Sequence, residues 1–180
     1  AEAMRGAREK LGAAAGRPIR VEIEPGRSIV AAGAALVTRV TGRKRTHTNR
    51  KGPGHLFTMV DAGFCDLVRP SMYGSYHHIE VVGKTGGPTE EQVFAGPLCE
   101  SGDVFTRDDE ERLVPRDLPV TEPGDLILLR DAGAYGATMS SNYNSIGRVP
   151  QVWVEGGKAR LASRRETLED ILKLECDDEI

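Results

Sequence analysis

Glu122-Pro123-Gly124-Asp125-Leu126-Ile127-Leu128-Leu129 joins a Pro-Gly turn directly to an apolar segment, and a tight turn beside a short strand is the unit repeated through most of the chain. Strand character is expected at 127–129, at 56–61, at 78–82 and at 152–154, with Gly83-Lys84-Thr85-Gly86-Gly87-Pro88 as another separating turn. Short strands at such spacing predict a mainly β fold, an antiparallel β-barrel or sandwich. Residues 29–40 form a β-branched and Ala-rich run, too long and too apolar for a surface. The polar loop at 43–54, with Gly52-Pro53-Gly54, is expected to fold the chain back as a hairpin does.

Helical patterns flank the strands. Residues 2–15 are rich in Ala, Glu, Arg and Leu, place Met4, Ala7, Leu11 and Ala14 on one face, and stop at Gly16. Ile19, Val21 and Ile23 then alternate with Arg20, Glu22 and Glu24, which predicts a strand delivering Glu24 to a loop. Helix, short turn and strand in that order look like the last unit of an α/β (TIM-like) barrel. Short helices are expected at 140–144 and at 165–174. The latter turns Leu168, Ile171 and Leu172 inward and sets Glu169 and Asp170 in its first turn after Thr167, where the macrodipole favours acids.

A chain of 180 residues, 39% hydrophobic, can bury the core of one domain with a piece of a second. Its net charge of −3 argues against a nucleic-acid surface, and the basic cluster of Arg43, Lys44, Arg45, Arg50 and Lys51 reads as a solvated loop. Cys65, Cys99 and Cys176 are odd in number and lack the spacing of metal ligands, so neither a disulfide framework nor a metal site is expected, and a reducing cytoplasm is. No apolar run reaches the length of a bilayer span, so no membrane association is expected.

Four motifs carry chemistry. In Glu24-Pro25-Gly26-Arg27 a carboxylate and a guanidinium flank a rigid turn, where Gly26 lets a ligand approach the backbone and Arg27 offers a planar fork to an anion. Arg69 and Tyr73 follow in Arg69-Pro70-Ser71-Met72-Tyr73-Gly74. Gly96-Pro97-Leu98-Cys99-Glu100-Ser101-Gly102-Asp103 sets a thiol, a carboxylate and a hydroxyl on one short loop, which reads as a reaction site. Asp131-Ala132-Gly133-Ala134-Tyr135-Gly136 places an aromatic hydroxyl between glycines. Alone, the Pro-Gly pair is a common turn, Arg69 with Tyr73 a common rim pair, and Tyr135 weak evidence. Cys65 reads as a small buried apolar residue.

In this order the motifs resemble the C-terminal part of the pyridoxal-phosphate-dependent diaminopimelate decarboxylases, of the fold-type III decarboxylases, over nearly the whole chain. The resemblance implies that 1–30 is the end of a cofactor-binding α/β barrel and 31–180 a C-terminal β-domain. It implies that Glu24, Pro25, Gly26, Arg27 and Tyr135 bind pyridoxal 5'-phosphate, with Glu24 on the pyridine nitrogen. Arg27, Arg69, Tyr73, Glu100 and Tyr135 would bind meso-diaminopimelate, Arg69 and Tyr73 at the end that does not react and Glu100 at its ammonium. Cys99 would be the general acid that reprotonates the reacting carbon as L-lysine and carbon dioxide form. The Cys99 loop would reach into the partner's site of a homodimer. Ser145-Ile146-Gly147-Arg148-Val149-Pro150 departs from the family's usual run there.

The family's cofactor lysine lies near the start of the barrel, and none of Lys10, Lys44, Lys51, Lys84, Lys158 and Lys173 fits that place. The expectation is therefore a segment inactive without its barrel, and the start of the chain inside a helical pattern favours a fragment over a natural truncation. A second hypothesis is a non-catalytic paralogue that binds or regulates a full decarboxylase. The presence of Cys99, Arg69 and Tyr135 favours the enzyme origin. Ornithine, arginine and carboxynorspermidine decarboxylases share the fold, while Glu100-Ser101 with Arg69 and Tyr73 point to diaminopimelate.

Overall fold

The computed structural model describes residues 2–47 and 54–176. Its centre is a six-stranded sheet built from β1 (Leu36–Arg45), β2 (Leu56–Val60), β3 (Ile79–Val81), β4 (Thr89–Ala95), β5 (Arg116–Pro119) and β6 (Leu126–Leu129), in the order β3-β6-β1-β2-β4-β5. The mainly β class is the one expected. The pairing is antiparallel except between β2 and β4, which run parallel, so the sheet is mixed.

Strand β1 turns this sheet towards closure. Its first half, Leu36 to Arg39, pairs with β6, and its second half, from Val40 onward, pairs with β2, with a register shift between Val40 and Gly42. A bulge of this kind bends a strand and raises its twist, which lets one strand serve two neighbours. The outer strands β3 and β5 approach each other. Arg116 of β5 stacks over the Tyr76 ring at 4.3 Å, and Lys84, just past β3, donates to the Val120 carbonyl at 2.9 Å and to Asp125 at 2.6 Å.

Alternation explains which side chains fill the interior. β2 buries Leu56, Thr58 and Val60, and β6 buries Ile127 and Leu129 while Leu126 stays exposed. With Val40, Ala62, Leu67, Ile79, Val81, Phe94 and Phe105, most of these form one cluster, each large apolar side chain contributing about 1.5–3 kcal/mol by burial. The polar group at the centre is satisfied: Gln92 accepts from Thr58 (2.7 Å) and Thr121 (2.6 Å) and donates to the Pro119 carbonyl (2.9 Å).

Several local expectations are corrected. Helix α1 (Glu2–Ala15) forms but buries none of its residues. No strand follows it: residues 17–26 have no regular structure, and Ile23 is 66% exposed. A strand needs a neighbour to take its amides, and no described strand pairs with this segment. The run at 29–40 splits. Two 3₁₀ turns, Arg27–Ile29 and Ala31–Gly33, precede β1, and Ile29 is 69% exposed. Arg43, Lys44 and Arg45 are not loop but the end of β1, paired with Thr58, Phe57 and Leu56, and Arg43 forms an ion pair with Glu90. The hairpin between β1 and β2 is as expected, while Arg50, Lys51, Gly52 and Pro53 lie outside the described residues.

Helix α2 (Arg69–Tyr73) and strand β8 (Lys158–Ser163) were not foreseen; β8 pairs with β7 (Gln151–Glu155) in a separate exposed hairpin. Residues 140–144 hold the start of a 3₁₀ turn, Tyr143–Ser145, instead of a helix. Helix α3 (Leu168–Leu172) opens on a capping box between Thr167 and Asp170, the acid placement expected, yet Leu168 and Leu172 face solvent. No helix among the described residues is long and apolar enough to cross a membrane.

Candidate functional site

The cleft of interest is assembled by three segments that are far apart in sequence. β6 ends at Leu129, and the 131–136 turn that follows folds back on the 3₁₀ turns before β1: Ala132 N–H donates to the Ala34 carbonyl (3.0 Å) and Gly133 N–H to the Ala31 carbonyl (2.9 Å). A Cβ on Gly133 would overlap the Val30 carbonyl oxygen, so glycine alone permits this approach. Asp131 and Tyr135 sit at φ 61° and 60°. Left-handed backbone at non-glycine residues stores strain that the surrounding contacts must offset, and such residues gather at functional sites.

The resulting cleft, about 350 Å³, is lined by Arg27, Ala31, Arg69, Ser75, Tyr76, His77, Asp131 and Ala134. Arg69 opens helix α2, its guanidinium 5.1 Å from the Tyr73 ring centroid and 5.1 Å from that of Tyr135, and donates to Ser75 at 3.3 Å. Arg27 and Arg69, named from separate motifs, thus line one cleft, and Tyr73 and Tyr135 join it through Arg69 without lining it. Two arginines lining one concavity suit an anionic ligand, and a planar fork suits a carboxylate or phosphate.

Glu24, Pro25 and Gly26 lie in the exposed segment before Arg27, and the lining begins at Arg27. Cys99 and Glu100 are exposed and do not line this cleft. Their loop is nevertheless tied to α2, because Ser71 Oγ donates to the Gly102 carbonyl at 2.7 Å. The Gly102 N–H and the Ser101 hydroxyl hold the Glu100 carboxyl below the ordinary carboxylate range, so it is an ionised acceptor at neutral pH. Cys65 is buried, and burial, reinforced by the neighbouring Asp66 carboxylate, pushes its thiol up to about 12.

Sequence reasoning missed His77. It is 6% exposed, lines the cleft, and sets Nδ1 2.8 Å from the Arg130 carbonyl. Its one advance signal was its place just after the Arg69–Tyr73 motif. No cluster of three metal-ligating groups occurs among the described residues.

Residues 31–133 match the family model for the pyridoxal-dependent decarboxylase C-terminal sheet domain. Diaminopimelate decarboxylase of Escherichia coli (strain K12) is 49% identical over 174 residues, 94% of this chain and 40% of that protein. The diaminopimelate decarboxylase of Streptomyces coelicolor (strain ATCC BAA-471 / A3(2) / M145) is 45% identical over 175 residues, 95% of this chain and 38% of that protein. A crystal structure of diaminopimelate decarboxylase superposes with a TM-score of 0.80 at 48% identity, covering 95% of this chain and 40% of that one. The chain therefore spans about 40% of the length of these relatives.

Proposed function

Because the chain belongs to the pyridoxal-dependent decarboxylases, we propose that it supplies the substrate-receiving and proton-donating parts of a diaminopimelate decarboxylase, which converts meso-diaminopimelate to L-lysine and carbon dioxide in the cytoplasm. The observation that carries this reading is that Arg27 and Arg69 line one cleft, with the Tyr135 ring stacked on Arg69. The family's cofactor fits that cleft on its own chemistry, since two arginines line a space of small-ligand size and a guanidinium can take a phosphate. Arg27 and Tyr135, with Glu24, Pro25 and Gly26 of the segment that leads into Arg27, would hold pyridoxal phosphate, which when bound supplies the electron sink for decarboxylation.

The remaining roles belong to the chain's own side chains. Arg69, held between two aromatic rings, receives the carboxylate at the end of the substrate that does not react, and Tyr73 closes that end. Substrates ending in a bare amine have no carboxylate to place there, which is the reason to prefer diaminopimelate over ornithine. Glu100, kept ionised, receives the distal ammonium. Cys99 holds on Sγ the proton that the reacting carbon takes up when carbon dioxide leaves. Since Cys99 and Glu100 do not line the cleft of their own chain, we assign them to the cleft of a second copy in a homodimer. Residues 1–30 complete a barrel domain and 31–180 form the sheet domain.

The test is a hybrid enzyme in which this chain replaces the matching 174 residues of the Escherichia coli decarboxylase. The hybrid should release carbon dioxide from meso-diaminopimelate, and Cys99→Ala should slow it roughly 10²–10⁴-fold, the usual cost of a lost general acid. A folded, cofactor-loaded hybrid without turnover would overturn the proposal.

A further inference from the structure

The carboxylate of Asp103 lies at the centre of the Cys99 loop, and none of the roles above uses it. We infer that Asp103 is a positioning residue for Cys99, an inference that rests on the proton-donor reading. Asp103 is 3% exposed. Its Oδ1 accepts the Phe64 N–H at 2.7 Å and its Oδ2 accepts the Leu98 N–H at 2.9 Å, so one side chain bridges the loop after β2 and the loop after β4.

The backbone is shaped around that carboxylate. A Cβ on Gly96 would overlap it, and a Cβ on Gly63 would lie 3.1 Å from Oδ2 and 2.8 Å from the Leu98 Cγ. The Gly96 N–H donates to the Asp103 carbonyl (2.9 Å) and the Asp103 N–H to the Glu100 carbonyl (3.1 Å), which closes the loop on itself with Cys99 at its turn. The amide of Cys99 is taken by Asn144 Oδ1 at 3.0 Å. Two consecutive amides, those of Leu98 and Cys99, are thus held by two different side chains. Cys99 is exposed, so its place is set by its backbone and not by packing on its thiol.

A carboxylate is what this place demands. Both neighbours are N–H donors, and a carboxylate is acceptor-only on both oxygens. Asp103→Asn keeps the shape but turns an NH₂ towards one of the two amides, releasing either Leu98 or Phe64. A displacement of about 1 Å at a reacting group can cost on the order of a hundredfold in rate.

The experiment compares, in the hybrid enzyme, Asp103→Asn, Cys99→Ala and the double variant, alongside Gly96→Ala, which drives a Cβ into the same carboxylate. If Asp103 acts through Cys99, Asp103→Asn lowers kcat at least about tenfold. The double variant then turns over as Cys99→Ala does, because the proton donor whose position is lost is already gone. A second readout needs no turnover: the rate of Cys99 alkylation by iodoacetamide, compared with Cys176 in the same sample by peptide mass spectrometry, should change in both Asp103→Asn and Gly96→Ala. Multiplicative losses in the double variant, or an unchanged Cys99 alkylation ratio in both variants, would overturn the inference. Full turnover by Cys99→Ala would instead sink the proton-donor reading, and an altered alkylation ratio would still report the hold of Asp103 on the loop. Should Asp103→Asn fail to fold, Gly96→Ala carries both readouts.

Discussion

The guanidinium of Arg69 is equidistant, at 5.1 Å, from the ring centroids of Tyr73, its neighbour on helix α2, and Tyr135, delivered by the turn after β6. Cation–π contacts of this kind contribute about 0.5–1 kcal/mol each at exposed sites and fix the plane of the fork. Arg69→Lys keeps the charge but has no fork to present to a carboxylate. In the hybrid enzyme the KM for meso-diaminopimelate should rise by about ten- to a hundredfold, equivalent to the 1.5–3 kcal/mol of a charge-assisted hydrogen bond. An unchanged KM would show that the distal carboxylate is received elsewhere.

His77 determines how the Tyr135 turn leaves β6. A carbonyl can only accept, so the 2.8 Å contact between Nδ1 and the Arg130 oxygen requires the hydrogen on Nδ1. Asparagine can place an N–H near the same point and alanine cannot. We expect His77→Ala to cost about 0.5–1.5 kcal/mol in urea unfolding through the lost hydrogen bond, and His77→Asn to cost less than half as much. Equal losses in the two variants would show that this hydrogen bond is not what His77 contributes.

Thiol chemistry separates the three cysteines. With its thiol pushed up to about 12 by burial and the Asp66 carboxylate, Cys65 should resist iodoacetamide at pH 8 in the folded chain, whereas the exposed Cys99 and Cys176 should react. Peptide mapping before and after denaturation measures this, and labelling of Cys65 at a rate like that of Cys176 in the native state would contradict the buried environment.

The Lys84–Asp125 pair joins the turn after β3 to the start of its sheet neighbour β6. The hydrogen bond from Lys84 holds the Asp125 carboxyl below its ordinary value of 3.8, so the folded chain binds that proton less tightly than the unfolded chain does. Its stabilisation is therefore present above pH 3.8 and is lost as pH falls through the lower folded value. Asp66 and Asp103 have the opposite sign: burial raises both, so their contribution favours folding at low pH and is lost as pH rises through their folded values. Asp125→Asn should cost about 1 kcal/mol at pH 7 for a partly exposed pair, with the difference from the parent shrinking in acid. A difference that grows as pH falls would reverse the assignment.

No lysine among the described residues lines the cleft. The chain alone, treated with pyridoxal phosphate and then borohydride, should show no single lysine labelled in full. Complete, site-specific labelling would mean that the chain carries a cofactor lysine of its own.

Turn chemistry and strand propensity were enough to identify the mainly β class, the hairpin between β1 and β2, and strands at the places of β2 and β6, because these depend on residues close together in the chain. The motifs likewise named Arg27, Arg69, Tyr73 and Tyr135, since their side-chain chemistry is a local property. What no local pattern could decide was pairing: whether β2 meets β4 in parallel, and whether Ile19, Val21 and Ile23 find a strand to join. A strand exists only where another backbone takes its amides, so the alternation at 19–23 promised a strand, and the apolar run from 29 promised burial, that the described residues do not supply. Tertiary structure alone brought Tyr135 over Arg69, seated His77 on Arg130 and wound the Cys99 loop around Asp103. The first two contacts join segments distant in the chain, and the third, local between Leu98 and Asp103, is locked by the distant Phe64 amide, so all three exist only once the chain has folded back on itself.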